Sequence, residues 1–312
     1  VSQLLEIPGA PLPYWGEDLR TDPGFLLDEL DNDEYHAAAG VLSRSAVQLA
    51  MRSMLQLRHA IDTQARIERG EAPPKTDEER EALVTGSAFH CFTLEPMAYG
   101  QRYVELPDLG DMRSAKKRAF RDDWLREHAL GRQALKPRQV AQVRAMRESA
   151  LRIPKIRALL ENGQPEVTAL ARDPGTGLPR KARTDWLAER LHTLMDLKSA
   201  RDASRDAWKR EAGRRGYYIQ DPWYRDVFRL AGCEIDEFLF VVVEKTPPYD
   251  VGLYTLGASS LYAGEQKYMH ALRRIFEAVQ SGRWPGYTDD KVEVLDVPNS
   301  YVKEAEALEQ NP

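Results

Sequence analysis

Apolar residues recur at helical spacing over residues 42–69, and Ser43 and Ser45 stand at the start as candidate caps. The pattern predicts a helix there. Pro73 and Pro74 then break the chain, and Thr76 with Glu79 forms a capping box ahead of a second helix that carries Gly86 to His90. Pro96 ends that helix. After a loop at 106–111, charged amphipathic helices are expected at 114–128 and 137–160. Downstream the period changes from helical to alternating. Residues 166–172, a turn from Asp173 to Gly177, and the runs 180–188 and 191–200 read as three successive antiparallel strands. A short polar break at Glu189 and Arg190 suits a hairpin between the last two. A helix over Tyr217–Leu230, buried strands at Glu237–Glu244 and 249–256 divided by Pro247 and Pro248, and a closing helix at 263–281 complete the pattern. The sum is a mixed α/β core with a helical N-terminal part. Residues 1–34, rich in proline and acid, are expected to form an extension that wraps or frays. The main domain is expected at 35–290 and a tail at 291–312.

Composition narrows the class of protein. The chain has 312 residues, 42% of them apolar, ample for a real core. No apolar run is long enough to span a bilayer and no basic-then-apolar leader opens the chain, so a cytoplasmic location with no membrane partner is expected. The two cysteines, Cys91 and Cys233, lie far apart, which leaves a disulfide framework, a zinc site and a four-cysteine iron–sulfur cluster unsupported. A net charge of −5 hides an uneven distribution. Residues 113–157 hold fourteen Lys or Arg against four Asp or Glu, a local balance of +10 that includes Lys116, Lys117 and Arg118. Such a run is either a solvated helical face or a surface that meets phosphates. A smaller basic cluster with Arg201 and Arg205 follows the alternating segment. Ser43 and Arg44, at a helix start, are either a plain cap or a phosphate contact.

The candidate chemistry lies in the alternating segment. Side chains on a strand alternate between faces, so Asp196 and Lys198 share one side while Leu197 points into the core. Folding back at Glu189 and Arg190 places Asp185 roughly opposite Asp196. Two acids within cross-strand reach beside a lysine can hold a divalent cation, Mg²⁺ or Mn²⁺, and position water for attack on a phosphodiester. Alternatively the acids make ordinary ion pairs with Arg183 and Lys198. Gln220 and Tyr224 are four apart and stack on one helix face, either lining a site or simply opening a helix with an aromatic in the core. His90 follows small residues and is either a core histidine or a ligand; Glu166 is either a solvated strand-end acid or a ligand of a second metal.

The ordered set Gly86-Ser-Ala-Phe-His90, Asp185, Asp196-x-Lys198 and Gln220-x-x-x-Tyr224 resembles the PD-(D/E)xK nucleases, specifically their RecE-type (exonuclease VIII) branch. The resemblance runs from about Tyr35 to Trp284. It implies a restriction-endonuclease-like core, a mixed sheet flanked by helices. It further implies a metal held by His90, Asp185, Asp196 and the carbonyl of Leu197, a Lys198 that assists catalysis, and Gln220 and Tyr224 at the substrate phosphate. The implied activity is a 5′→3′ exonuclease on double-stranded DNA ends, releasing mononucleotides and leaving 3′ single strands. A homo-oligomer, a tetrameric ring, and a RecT-like single-strand annealing partner in a bacterial or phage setting also follow from the resemblance. Three other readings stand beside it: an endonuclease or flap-cutting relative, a DNA-binding assembly subunit without chemistry, and a glycoside hydrolase using the two acids.

Overall fold

The computed structural model describes residues 3–28, 30–71, 84–111, 113–288 and 291–310. Pro73, Pro74 and the capping box at Thr76 and Glu79 lie outside these residues.

The N-terminal segment wraps the body. Ile7, Ala10, Leu12, Trp15 and Leu19 are buried, the last two around a helical turn at Tyr14–Glu17 (α1), and Gly24–Leu27 (β1) adds a strand. After Asn32–Ala37 (α2), the single helix expected at 42–69 is two, Arg44–Arg52 (α3) and Met54–Glu68 (α4). Ser53 is extended between them (φ −165°, ψ 130°) and its side chain accepts from Gln56 N, the local bond with which serine competes against helix continuation. Val84–Leu94 (α5) and Pro96–Arg102 (α6) follow. Tyr103–Glu105 (β2) and Gln133–Leu135 (β3), which the sequence pattern did not announce, pair in parallel on either side of Ala115–His128 (α7). The helix expected at 137–160 is also divided, into Pro137–Leu151 (α8) and Pro154–Glu161 (α9). Proline disfavours helical backbone in the residue before it, and Ile153 is extended (φ −84°, ψ 118°).

The strand region holds the main correction. The run 180–188 is not one strand. Pro179–Arg183 (β6) pairs with Thr168–Arg172 (β5) in a three-stranded sheet ordered β1-β5-β6. Trp186–Ala188 (β7) belongs instead to a five-stranded sheet, in which it lies between Gln164–Pro165 (β4) and Thr193–Ala200 (β8); Glu237–Glu244 (β9) and Val251–Tyr254 (β10) continue that sheet beyond β8. The chain changes sheets at Thr184 and Asp185. Thr184 fastens the corner: its amide donates to Val167 O (3.0 Å) and its buried hydroxyl lies 3.1 and 3.3 Å from the carbonyls of Trp186 and Met195. Because β8 is antiparallel to β7 but parallel to β9, the larger sheet is mixed.

Two apolar layers cover this sheet. Leu194, Phe238, Phe240 and Val242 pack in one core with α3, α4 and the helices Tyr217–Leu230 (α11) and Ala258–Ser281 (α12). Met195, Leu197, Leu239 and Val241 pack in another with α5, α8 and α9. Arg205–Arg215 (α10) precedes α11, and the exposed helix Asn299–Gln310 (α13) follows α12, which starts earlier than expected. The fold is therefore α/β, a mixed sheet between helical layers, with helices leading the chain.

Helices α11 and α12 meet at a glycine. A Cβ on Gly264 would stand 1.9 Å from Tyr218 O, so only hydrogen fits there. Gly264→Ala should force the two helices apart and cost about 1–3 kcal/mol. Gly213→Ala, in α10 with none of the described residues within 4 Å of the added carbon, should instead raise stability by up to about 1 kcal/mol. Urea midpoints of the two variants should move in opposite directions.

Candidate active site

The corner between the sheets makes the site. Trp186 pairs with Met195, so Asp185, one residue earlier, comes level with Asp196, as the hairpin reading expected. Strand β7 starts only at Trp186, which leaves the Leu197 amide without a ladder partner on that side. The Asp185 carboxylate takes it: Leu197 N donates to Asp185 Oδ2 at 2.7 Å. His90, on α5, brings Nδ1 to 3.7 Å from the same oxygen.

Asp196 lies deeper. Its side chain is 2% exposed, and both oxygens are engaged by neighbours on the α11 face. Gln220 Nε2 donates to Oδ1 at 2.6 Å, while Lys198 Nζ forms an ion pair with Oδ2. The remaining Gln220 oxygen, Oε1, is buried and receives no hydrogen bond from any of the described residues. Burial pushes the Asp196 carboxyl above its ordinary value, although Lys198 opposes the shift. For Lys198, burial acts to lower the pKa, but the charges of Asp196 and Asp185 prevail and hold the ammonium above the usual lysine range. A residue that the sequence reading missed completes this group. The ring of Tyr217 lies 5.3 Å from Lys198 Nζ and 5.9 Å from the Arg44 guanidinium. Tyr217 precedes Gln220 by three, so the stacking rule that singled out Tyr224 would also have reached it.

Of these side chains, His90 and Lys198 line a cavity of about 810 Å³, whose wall also includes Gly86, Ser87, Glu166 and Arg183. Glu166 has left-handed backbone (φ 55°), donates its amide to Asp185 O, and faces Arg183 at 4.0 Å. Of the two ion pairs expected as the alternative for the acids, Lys198 does pair with Asp196, whereas Arg183 faces Glu166 instead. Arg183 in turn stacks on Tyr35, its Cζ 4.3 Å from the ring centre. Tyr224, partly buried, sits edge-on to Phe238 (5.8 Å), and burial lifts its hydroxyl well above the normal tyrosine range.

Among the remaining expected contacts, Arg44 reaches this group through the Tyr217 ring, and the others lie elsewhere. Ser43 caps α3, accepting from Ala46 N at 3.4 Å. Arg44 donates to Gln48 and to Arg215 O, tying α3 to the end of α10. Arg201 and Arg205 are exposed just beyond β8. Lys116, Lys117 and Arg118 are exposed on α7, with Lys117 donating to Leu109 O and Arg118 to Arg113 O.

Among the described residues, no three His, Cys, Asp or Glu groups gather closely enough to form a ready metal cluster. In kind, the donors of this neighbourhood fit a hard divalent ion: two carboxylates and an imidazole around one corner. The buried Asp196 carboxylate also demands positive charge, which Lys198 supplies.

A family model described as "PDDEXK-like domain of unknown function (DUF3799)" matches residues 55–296. A solved structure from Eubacterium rectale, titled a "Putative exonuclease", is similar with a TM-score of 0.54 and 14% identity; the match covers 88% of this chain and 98% of that one. No curated protein matches the sequence.

Glu166 gives the site a pH signature. Burial, reinforced by Asp185 and countered by Arg183, lifts its carboxyl to about 7. An acid whose folded pKa lies above its unfolded one holds its proton longer in the native state, so stability falls as pH rises from about 4.5 through 7. Its side chain is 38% exposed, and solvent screening keeps that slope shallow. Glu166→Gln should flatten the slope and melt above the parent at pH 8; thermal melts from pH 5 to 8 measure both.

Proposed function

This chain belongs to the family of PDDEXK-like domains, and on that premise we propose that it is a metal-dependent deoxyribonuclease. It acts on double-stranded DNA ends in the 5′→3′ direction, releases mononucleotides, and leaves 3′ single strands for recombination by strand annealing. The observation that carries this reading is the closure of Asp185 onto the Leu197 amide beside the buried Asp196–Lys198–Gln220 group. A sheet corner built only for stability has no need of two acids, a lysine and a histidine at one point.

The residues divide the work. Asp185, Asp196, His90 and the Leu197 carbonyl would hold Mg²⁺, for which Mn²⁺ substitutes, and the ion supplies Lewis-acid polarisation of a phosphoryl oxygen and a more acidic water. Glu166, in the cavity wall beside Asp185, is the candidate for a second ion. Lys198, fixed between Asp196 and the Tyr217 ring, orients the attacking water and offsets negative charge that builds on the phosphorane. Gln220 holds Asp196 in place through Oδ1, and Tyr224 fixes the helix face that meets the substrate phosphate. Water adds to phosphorus as the bond to the leaving oxygen breaks, and that oxygen takes up a proton. Lys116, Lys117, Arg118, Arg201, Arg205, Ser43 and Arg44 belong in this reading to the surface that tracks DNA phosphates. A homo-oligomeric ring, a tetramer, and a single-strand annealing partner belong to it as well. Among the described residues no helix is long and apolar enough to cross a membrane.

End-labelled linear duplex, incubated with and without Mg²⁺ and read by product size, tests the activity. Mononucleotides from the 5′ end, with supercoiled circles left intact, are the expected products; cut circles would mean an endonuclease instead. Asp185→Ala and Asp196→Asn should each abolish degradation yet retain a cooperative melt, and near-parent activity in either would remove that acid from the site. Lys198→Ala should slow single-turnover cleavage by about a hundredfold or more. Its duplex affinity, measured in Ca²⁺, should stay near the parent's, and a parallel collapse of affinity would make Lys198 a binding contact.

A further inference from the structure

We infer that a second cavity, on the other side of α5 from the candidate active site, binds one strand of single-stranded DNA. The choice of DNA rests on the proposed nuclease activity; the anion and base recognition rests on the cavity itself. Two residues along a helix turn through about 200°, so α5 presents His90 to one cavity and Phe92 to the other. The second cavity, about 500 Å³, is lined by Phe92, Arg144, Arg147, Arg152 and Arg157, with Glu148 the single acid in its wall among the described residues.

The arginines fall into two kinds. Arg144 is paired with Glu105 and Arg152 with Glu148, each at 2.7 Å. Arg147 and Arg157 are held by neutral carbonyls instead: Arg147 Nε donates to Phe92 O at 2.9 Å, and Arg157 Nη1 to Leu151 O at 2.5 Å. Their orientation is fixed while their charge is left to answer, the state that suits a phosphate. The Arg147 guanidinium also stands 4.8 Å from the Phe92 ring centre, a cationic plane on which a base can stack. From Phe92 a row of rings continues toward the first cavity. Tyr99 is 4.6 Å from Phe92, and Tyr103, which stacks on Tyr99 at 5.4 Å, lies in the wall of the first cavity.

Interleaved aromatic and basic groups in a groove of this size match a single strand, which offers both phosphates and unstacked base faces. A duplex keeps its base faces stacked inside and offers none to the Arg147 and Phe92 planes. The cavity therefore suits the strand that a 5′→3′ exonuclease leaves behind.

Fluorescence anisotropy of a labelled oligothymidylate about twelve nucleotides long, in EDTA so that no hydrolysis occurs, tests this on the full chain. The Arg147→Gln/Arg157→Gln variant should bind roughly tenfold more weakly, and its log K against log salt slope should be shallower by about 1.4, two phosphate contacts at about 0.7 each. Arg157→Gln alone, an exposed change that spares the Phe92 packing, should give about half that slope change. Arg273→Gln, on α12, should match the parent, as should all variants on a blunt hairpin duplex. A parent that ignores the oligonucleotide, variants that match it, or an equal loss on the hairpin would each overturn the assignment. Strand binding without any DNA cleavage by the parent would sink the nuclease reading and leave this site standing.

Discussion

A carboxylate buried in a sheet has to be answered by charge and hydrogen bonds, and Asp196 sets that demand on this structure. Taking an ion out of water costs several kcal/mol after relaxation, and removing one partner of a buried pair leaves the other uncompensated. Asp196 is therefore surrounded: Lys198 answers its charge, Gln220 its second oxygen, and Tyr217 the far side of the lysine. Two of those three come from α11. The close approach of α12 at Gly264 in turn keeps α11 against the sheet, so a charge in the central strand dictates a helix contact on the next layer.

The second constraint is the change of sheet at Thr184 and Asp185. It gives Asp185 a free amide to accept from, and it delivers β6 to a separate small sheet whose charged residues are nearly all buried. Arg180 is fully buried, stacked on Trp223 and paired with Asp173 and Asp226. Lys181, whose burial drives its pKa down to about 7, donates to the carbonyls of Tyr35 and Ala38, and Arg183 donates to Leu30 O. Lys181 and Arg183 bind the N-terminal wrap to the strand through backbone carbonyls. The segment before Tyr35 thereby becomes part of the cavity wall, where Asp28, Leu30, Asp31 and Asn32 stand.

The basic stretch from 113 to 157 is less uniform than its count suggests. Arg121 and Arg126 pair with acids of their own helix, Arg144 with Glu105, and Lys155 with Glu237. Exposed pairs of this kind contribute little to stability, but they draw charge away from any ligand. The positions that matter for an anion are those held by carbonyls, because a carbonyl orients a guanidinium without neutralising it.

What the chain alone determined is what short-range periodicity carries. Alternation put Asp196 and Lys198 on one face and Leu197 on the other, the polar break folded Asp185 back beside Asp196, and the four-residue spacing placed Gln220 and Tyr224 on one helix face. Each of these depends on neighbours a few residues away, where backbone geometry repeats. Tertiary structure decided the rest. The division of 180–188 between two sheets, the strand β1, and the β2–β3 pair all turn on partners remote in sequence. His90 meets Asp185 across 95 residues and Arg44 meets Arg215 O across 171, and no local pattern encodes such a meeting. Remote contacts form only when packing a whole layer repays the chain entropy of bringing them together, so they belong to the fold and not to any segment of it.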